Sequence, residues 1–110
     1  MGLVADIASR LGLQVTSRGS LELLDVSAAR QVVEACLEER VAVLGIEGFR
    51  VDATRTVPDM GAIADLSTLA ELPWLNRVAC SVADAGAFLH SVTDSQLVFD
   101  IALVRESGDD

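Results

Sequence analysis

The chain has no lysine and no tyrosine, a single tryptophan, a single histidine, a single asparagine, two cysteines and two prolines among its 110 residues. Two cysteines, Cys36 and Cys80, are too few for the disulfide framework of a small secreted domain, and they lack the CxxC spacing of zinc and redox sites. With His90 as the lone imidazole, no zinc site assembles, and no metal or cofactor is expected. The longest apolar run, Val41 to Ile46, is far short of the about 20 residues a membrane helix needs, so a membrane is not an expected partner. The opening residues carry no basic segment ahead of an apolar stretch, and Asp6 stands where a myristoylation signal needs Ser or Thr; a cytoplasmic location is expected. All basic residues are arginine. The missing residue types track AT-rich codons, which points to a GC-rich bacterial genome.

What is present is apolar and acidic. Apolar residues make up 51% of the chain and mean hydropathy is +0.43, and 110 residues suffice for one domain that buries about two-thirds of its unfolded surface. Seventeen acidic residues against eight basic ones give a net charge of −9 and a pI near 4.3. Such a field repels phosphate backbones and anionic lipids and attracts basic proteins, so nucleic acid is not an expected partner. The plainer reading is that the charge keeps an apolar small protein dispersed in water.

Leu3, Val4, Ile7, Ala8 and Leu11 recur at helical spacing, and Gly12 suits a helix stop. Leu21 to Leu24 alternates as a short strand, and pairing with Leu13 to Thr16 across Arg18-Gly19 is the hairpin alternative. Asp25 or Ser27 caps a second helix reaching about Glu39, with Ala29, Val32, Val33, Cys36 and Leu37 on its buried stripe. Val41 to Asp52 reads as the central strand, joined to the first by a crossover that makes the two parallel. Ala53 to Met60 reads as a polar loop, Gly61 to Leu66 as a short strand, and Ser67 to Arg77 as irregular or briefly helical. The last helix is expected from Ser81, with Asp84 at N3 of a capping box, and Gly86 inside it hints at close backbone packing. Gln96 to Val104 closes the fold as a strand, and Glu106 to Asp110 forms a frayed acidic tail. The expected fold is α/β (α+β): a mixed four-stranded sheet with helices on one face, ferredoxin-like βαββαβ behind an N-terminal helix, with a barstar-like sheet as the alternative.

Glu47, between Gly45 and Gly48 at the end of the apolar strand, is the foremost candidate for a partner-facing acid. The competing reading is a bulge at the glycines with Glu47 paired to an arginine. Asp52, Asp59 and Asp65 surround the next connection and complete an acidic rim suited to arginine forks, though each also reads as an ordinary solvated acid. Trp74, in Leu72-Pro73-Trp74-Leu75, is either an interface anchor or a cover over one end of the core. Cys80 is placed just before a helix start, but the only histidine is a helix length away, so thiol catalysis is not expected. Cys36 reads as core and His90 as a charge complement to a helix C-terminus. No catalytic residue is assigned.

Val43-Leu44-Gly45-Ile46-Glu47-Gly48-Phe49, followed by Val57-Pro58-Asp59 and Ile63-Ala64-Asp65-Leu66-Ser67, resembles small bacterial immunity proteins of toxin-immunity systems. The resemblance implies a protein that is not an enzyme and that neutralises a cognate protein toxin, expected to be basic, by occlusion. Glu47, Asp52, Asp59, Asp65 and Trp74 are the partner-binding set read from the residues. Two other classes stay open: a homo-oligomeric small-ligand-binding or scaffolding domain, a homodimer for instance, and an enzyme using Glu47 and Asp65 as an acid-base pair.

Overall fold

A computed structural model describes residues 2–106. The first helix, α1 (Leu3–Leu11), buries Leu3, Val4, Ile7 and Ala8 and stops at Gly12, whose φ of 71° takes the left-handed turn that a side chain would resist. Strand β1 (Thr16–Arg18) turns at Gly19 and Ser20 into β2 (Leu21–Asp25), antiparallel, with Thr16 opposite Leu23. Asp25 ends β2 and caps α2 (Val26–Glu39), its Oδ1 accepting from the Ala28 N–H at 2.7 Å. Arg40 closes α2 at φ 56°, a left-handed conformation unusual for a residue with a Cβ. Strand β3 (Ala42–Val51) follows, then β4 (Thr56–Asp65), a short 3₁₀ turn at Ser67–Glu71, helix α3 (Trp74–Ser91) and β5 (Leu97–Val104).

The sheet order is β1-β2-β5-β3-β4, and every neighbouring pair is antiparallel. Leu97, Phe99, Ile101 and Leu103 of β5 alternate inward and join residues of all three helices in one core, with Phe99 and Phe88 of α3 meeting edge to face at 6.3 Å. The α+β class, the N-terminal helix and the βαββαβ series that follows it are as the sequence implies. Several details differ. The sheet has five strands, because residues 16–18 add β1 to β2, and it is antiparallel throughout: β2 and β3 do run parallel, but β5 lies between them and bonds to both. The central pair is thus the second and fourth strands of that series, β3 and β5, whereas a ferredoxin-like sheet centres on the first and third, and the more parallel barstar-like alternative is not found.

Two boundaries also move. Strand β4 begins at Thr56, so the connection after β3 shrinks to residues 52–55; Pro58 fits because β4 is an edge strand whose outer N–H groups need no partner. Helix α3 begins at Trp74, seven residues before Ser81. Ser81 is therefore no cap; it is wholly buried in the helix, and Cys80 lies exposed on the same helix away from its start. A Cβ on Gly86 would touch nothing within 4 Å, so no close backbone approach explains it. Leu37 is exposed, while the rest of the stripe expected for α2 is buried. Glu106 is exposed, and the remainder of the expected acidic tail lies outside the described residues.

Two irregularities shape β3. Its register with β5 shifts between Val43 and Gly45, and its register with β4 shifts between Glu47 and Phe49, where β4 advances from Ile63 to Pro58. Gly48 sits at the second shift, and a Cβ there would come 2.6 Å from the Ala62 Cβ and 3.3 Å from the Phe99 ring. A glycine lets β4 close over β3 at that point.

Candidate functional site

The residues of β5 that alternate with the core set point to the face of the sheet away from the helices. Three transverse rows follow from the register: Val98–Phe49–Pro58, Asp100–Glu47–Ile63 and Ala102–Gly45–Asp65. The first row is largely covered, Phe49 being buried and Val98 half-buried. Beside it the Arg18 guanidinium of β1 donates to the Asp52 carbonyl oxygen at 3.0 Å, tying the hairpin to the end of β3. The other two rows form a shallow depression in which Gly45 and Ala102 contribute no bulk and Glu47, Asp100, Asp65 and Ile63 stand around them. A Cβ on Gly45 would lie 2.9 Å from the Ala64 carbonyl oxygen, so the small floor is dictated by strand spacing.

Glu47 and Asp100 are directly opposite each other on adjacent strands, both half-buried. Among the described residues neither carboxylate accepts a hydrogen bond or pairs with a cation. Burial, first, and then the charges of Glu47 and Glu22 push the Asp100 carboxyl above the ordinary aspartate range. Like charges facing one another across a ladder oppose folding, by about 0.2–1 kcal/mol. Ile63 (40% exposed) lies in the same row; Val57 pairs with Arg50 in the row of Leu97 and so belongs to the opposite face, and Met60, 78% exposed, lies in the stretch of β4 where the register shifts.

Of the five residues expected to form one contacting set, Glu47 and Asp65 come together and the other three do not. The Asp65 carboxylate receives the Ser67 N–H at 3.0 Å, which holds it below the ordinary range. Asp52 serves the β3–β4 turn: its Oδ1 accepts from the N–H groups of Thr54 and Arg55 at 2.8 and 2.7 Å. Asp59 accepts from Gly61 N–H at 2.9 Å and from Arg50 at 3.1 Å, and Arg50 also holds Asp94. Trp74 opens α3, its Nε1–H donating to the Arg40 carbonyl oxygen at 3.2 Å. The expected acidic rim is thus split, because a β4 running from Thr56 to Asp65 carries Asp59 and Asp65 well apart and leaves Asp52 in the turn at its start.

Asp100 is the member of the site that the sequence reading passed over. Its signal is the lone acid on the outward side of Leu-Val-Phe-Asp-Ile-Ala-Leu-Val, visible as polarity but carrying no motif. Cys36 is fully buried with its thiol pushed up to about 12 by burial, and His90 is exposed in the last turn of α3. Among the described residues no group of three His, Cys, Asp or Glu side chains is placed to hold a metal ion, and no helix is long and apolar enough to cross a membrane. The chain matches no family model, no curated protein and no solved structure.

Proposed function

We propose that this chain is a binding protein of the immunity or antitoxin kind, which offers the helix-free face of its sheet to a basic surface on a protein toxin and blocks it by occlusion. The observation that carries the reading is the Glu47–Asp100 pair: two adjacent, half-buried carboxylates without a cation among the described residues. An arginine or lysine delivered by a partner would relieve their repulsion and gain charge-assisted hydrogen bonds that strengthen as water is expelled. Ile63 in the same row, 40% exposed, supplies apolar area for the same contact. The net charge of −9 speeds encounter with a basic partner.

A homodimer through this face is the weaker reading, since a two-fold contact would bring the acid pair of one copy toward that of the other. The test is titration calorimetry with the protein encoded by the neighbouring gene, at low and high salt. The reading expects a one-to-one complex that weakens with salt, and a loss of about tenfold to a hundredfold in affinity for Glu47→Gln combined with Asp100→Asn. Absence of binding, or binding indifferent to both substitutions, would reject it.

A further inference from the structure

Eight arginines share the chain with seventeen acidic residues, so an arginine without a carboxylate or carbonyl partner is unexpected. Five are engaged: Arg10 with Glu39, Arg50 with Asp59 and Asp94, Arg55 with Asp52, Arg18 with the Asp52 carbonyl and Arg30 with the Leu89 carbonyl. The other three, Arg40, Arg77 and Arg105, have no such partner among the described residues, and all three are found near the only tryptophan. Arg40 and Arg105 line an open cleft of about 650 Å³ together with Trp74, Leu75 and Glu106. The Arg77 guanidinium lies 5.7 Å from the Trp74 ring centroid, and its Nε is buried without a partner. Glu39 is the acid that acts on Arg105, but both of its oxygens are taken by Arg10 at 2.7 and 3.0 Å.

We propose that this cleft binds a small anion attached to an apolar ring, an aromatic carboxylate or an aromatic phosphate ester. Two arginines from different elements, Arg40 at the end of α2 and Arg105 just after β5, line it together, and a pair of guanidinium groups brought to one cleft is suited to holding an oxyanion. The indole is held in place by its hydrogen bond to the Arg40 carbonyl and by Arg77, so it offers a fixed stacking surface. Leu75, 60% exposed, supplies an uncovered apolar wall. Helix α3 starts here without a side-chain cap, leaving its first N–H groups and the positive end of its dipole toward the same end of the molecule. Glu106 on the rim opposes a bare anion, so the ring's contact with Trp74 and Leu75 is needed for useful affinity. This site is separate from the sheet face assigned to the protein partner and does not depend on that assignment.

Because Trp74 is the only tryptophan, its fluorescence reports this cleft alone. Titration of the full chain with phenyl phosphate or benzoate is expected to change the emission saturably, at lower concentration than inorganic phosphate or acetate. Which of the two aromatic probes binds better identifies the anion. Arg40→Gln and Arg105→Gln should each weaken binding about tenfold, the loss expected for one charge-assisted hydrogen bond. Glu106→Gln should tighten it, and Arg55→Gln, which removes an equal charge elsewhere, should leave it unchanged. If Arg40→Gln lowers the helical circular dichroism, Arg105→Gln decides alone. No saturation with either aromatic probe, equal response to the inorganic ions, or full binding by folded Arg105→Gln would overturn the proposal.

Discussion

The Ser81 hydroxyl in α3 accepts the backbone N–H of Val43 in β3 at 3.0 Å and donates to the Val78 carbonyl at 3.2 Å. Val43 is the last β3 residue in register with β5 before the shift at Gly45, so a helix side chain takes up a strand donor beside the irregularity. Ser81 is the one buried polar residue among the described residues, with no exposure. Ser81→Ala leaves the Val43 N–H buried and unsatisfied, at a cost of about 1–3 kcal/mol. Urea denaturation is expected to show a lower midpoint with an unchanged slope.

Gly48 and Ala62 form a steric pair. Gly48→Ala brings two methyl carbons to 2.6 Å, with the Ala62 carbonyl oxygen at 3.2 Å, and is expected to destabilise by about 1–3 kcal/mol. Adding Ala62→Gly removes the worse clash and should recover part of the loss. A double-mutant cycle reads the coupling, and additive effects would show that the two positions do not touch.

Asp100 predicts a pH dependence of opposite sign to that of carboxylates held by hydrogen bonds or ion pairs. Its folded-state carboxyl is raised, so the protonated form suits the fold; the benefit is full below the unfolded aspartate range and is lost as pH rises through the folded value. Asp100→Asn should therefore stabilise the protein near neutrality, by about 0.5 kcal/mol or a few degrees in Tm, and the gain should vanish in acid. Asp65 and Asp52 are lowered and work in the other direction, losing their small contribution as pH falls, screened by their exposure. Melting curves of Asp100→Asn and the parent chain from acid to neutral pH separate the two behaviours.

The two thiols should behave differently toward an aromatic disulfide reagent. Cys80 is exposed on α3 and is expected to react at once. Cys36, buried with its thiol raised to about 12, is expected to react only as the protein opens. Two fast thiols would mean that α2 does not pack as described.

Periodicity carried the reading of α1, α2 and β5, because each buries one regular stripe and α2 carries its own cap at Asp25. It failed at α3, where the chain starts a helix behind Pro73 with no polar cap and Ser81 mimics one further along. It failed again at β4, where Pro58-Asp59 has the composition of a loop but lies on an edge strand that tolerates both. Strand order was beyond its reach, since nothing local in residues 97–104 says that they lie between β2 and β3. The site suffered accordingly: Glu47 was found from its glycines, while Asp100, its neighbour across the sheet and about fifty positions away in the chain, becomes visible only once β5 is placed beside β3.

The position of β5 also decides what holds the sheet together. Residues 97–104 are inserted between β2 and β3, and those two strands share no hydrogen bonds without them. Without this segment the pairing consists of two separate hairpins, β1–β2 and β3–β4, with no ladder to join them. Residues 97–104 therefore act as the keystone of the sheet: displacing them would open one edge of β2 and one of β3 to pairing with a strand from another molecule.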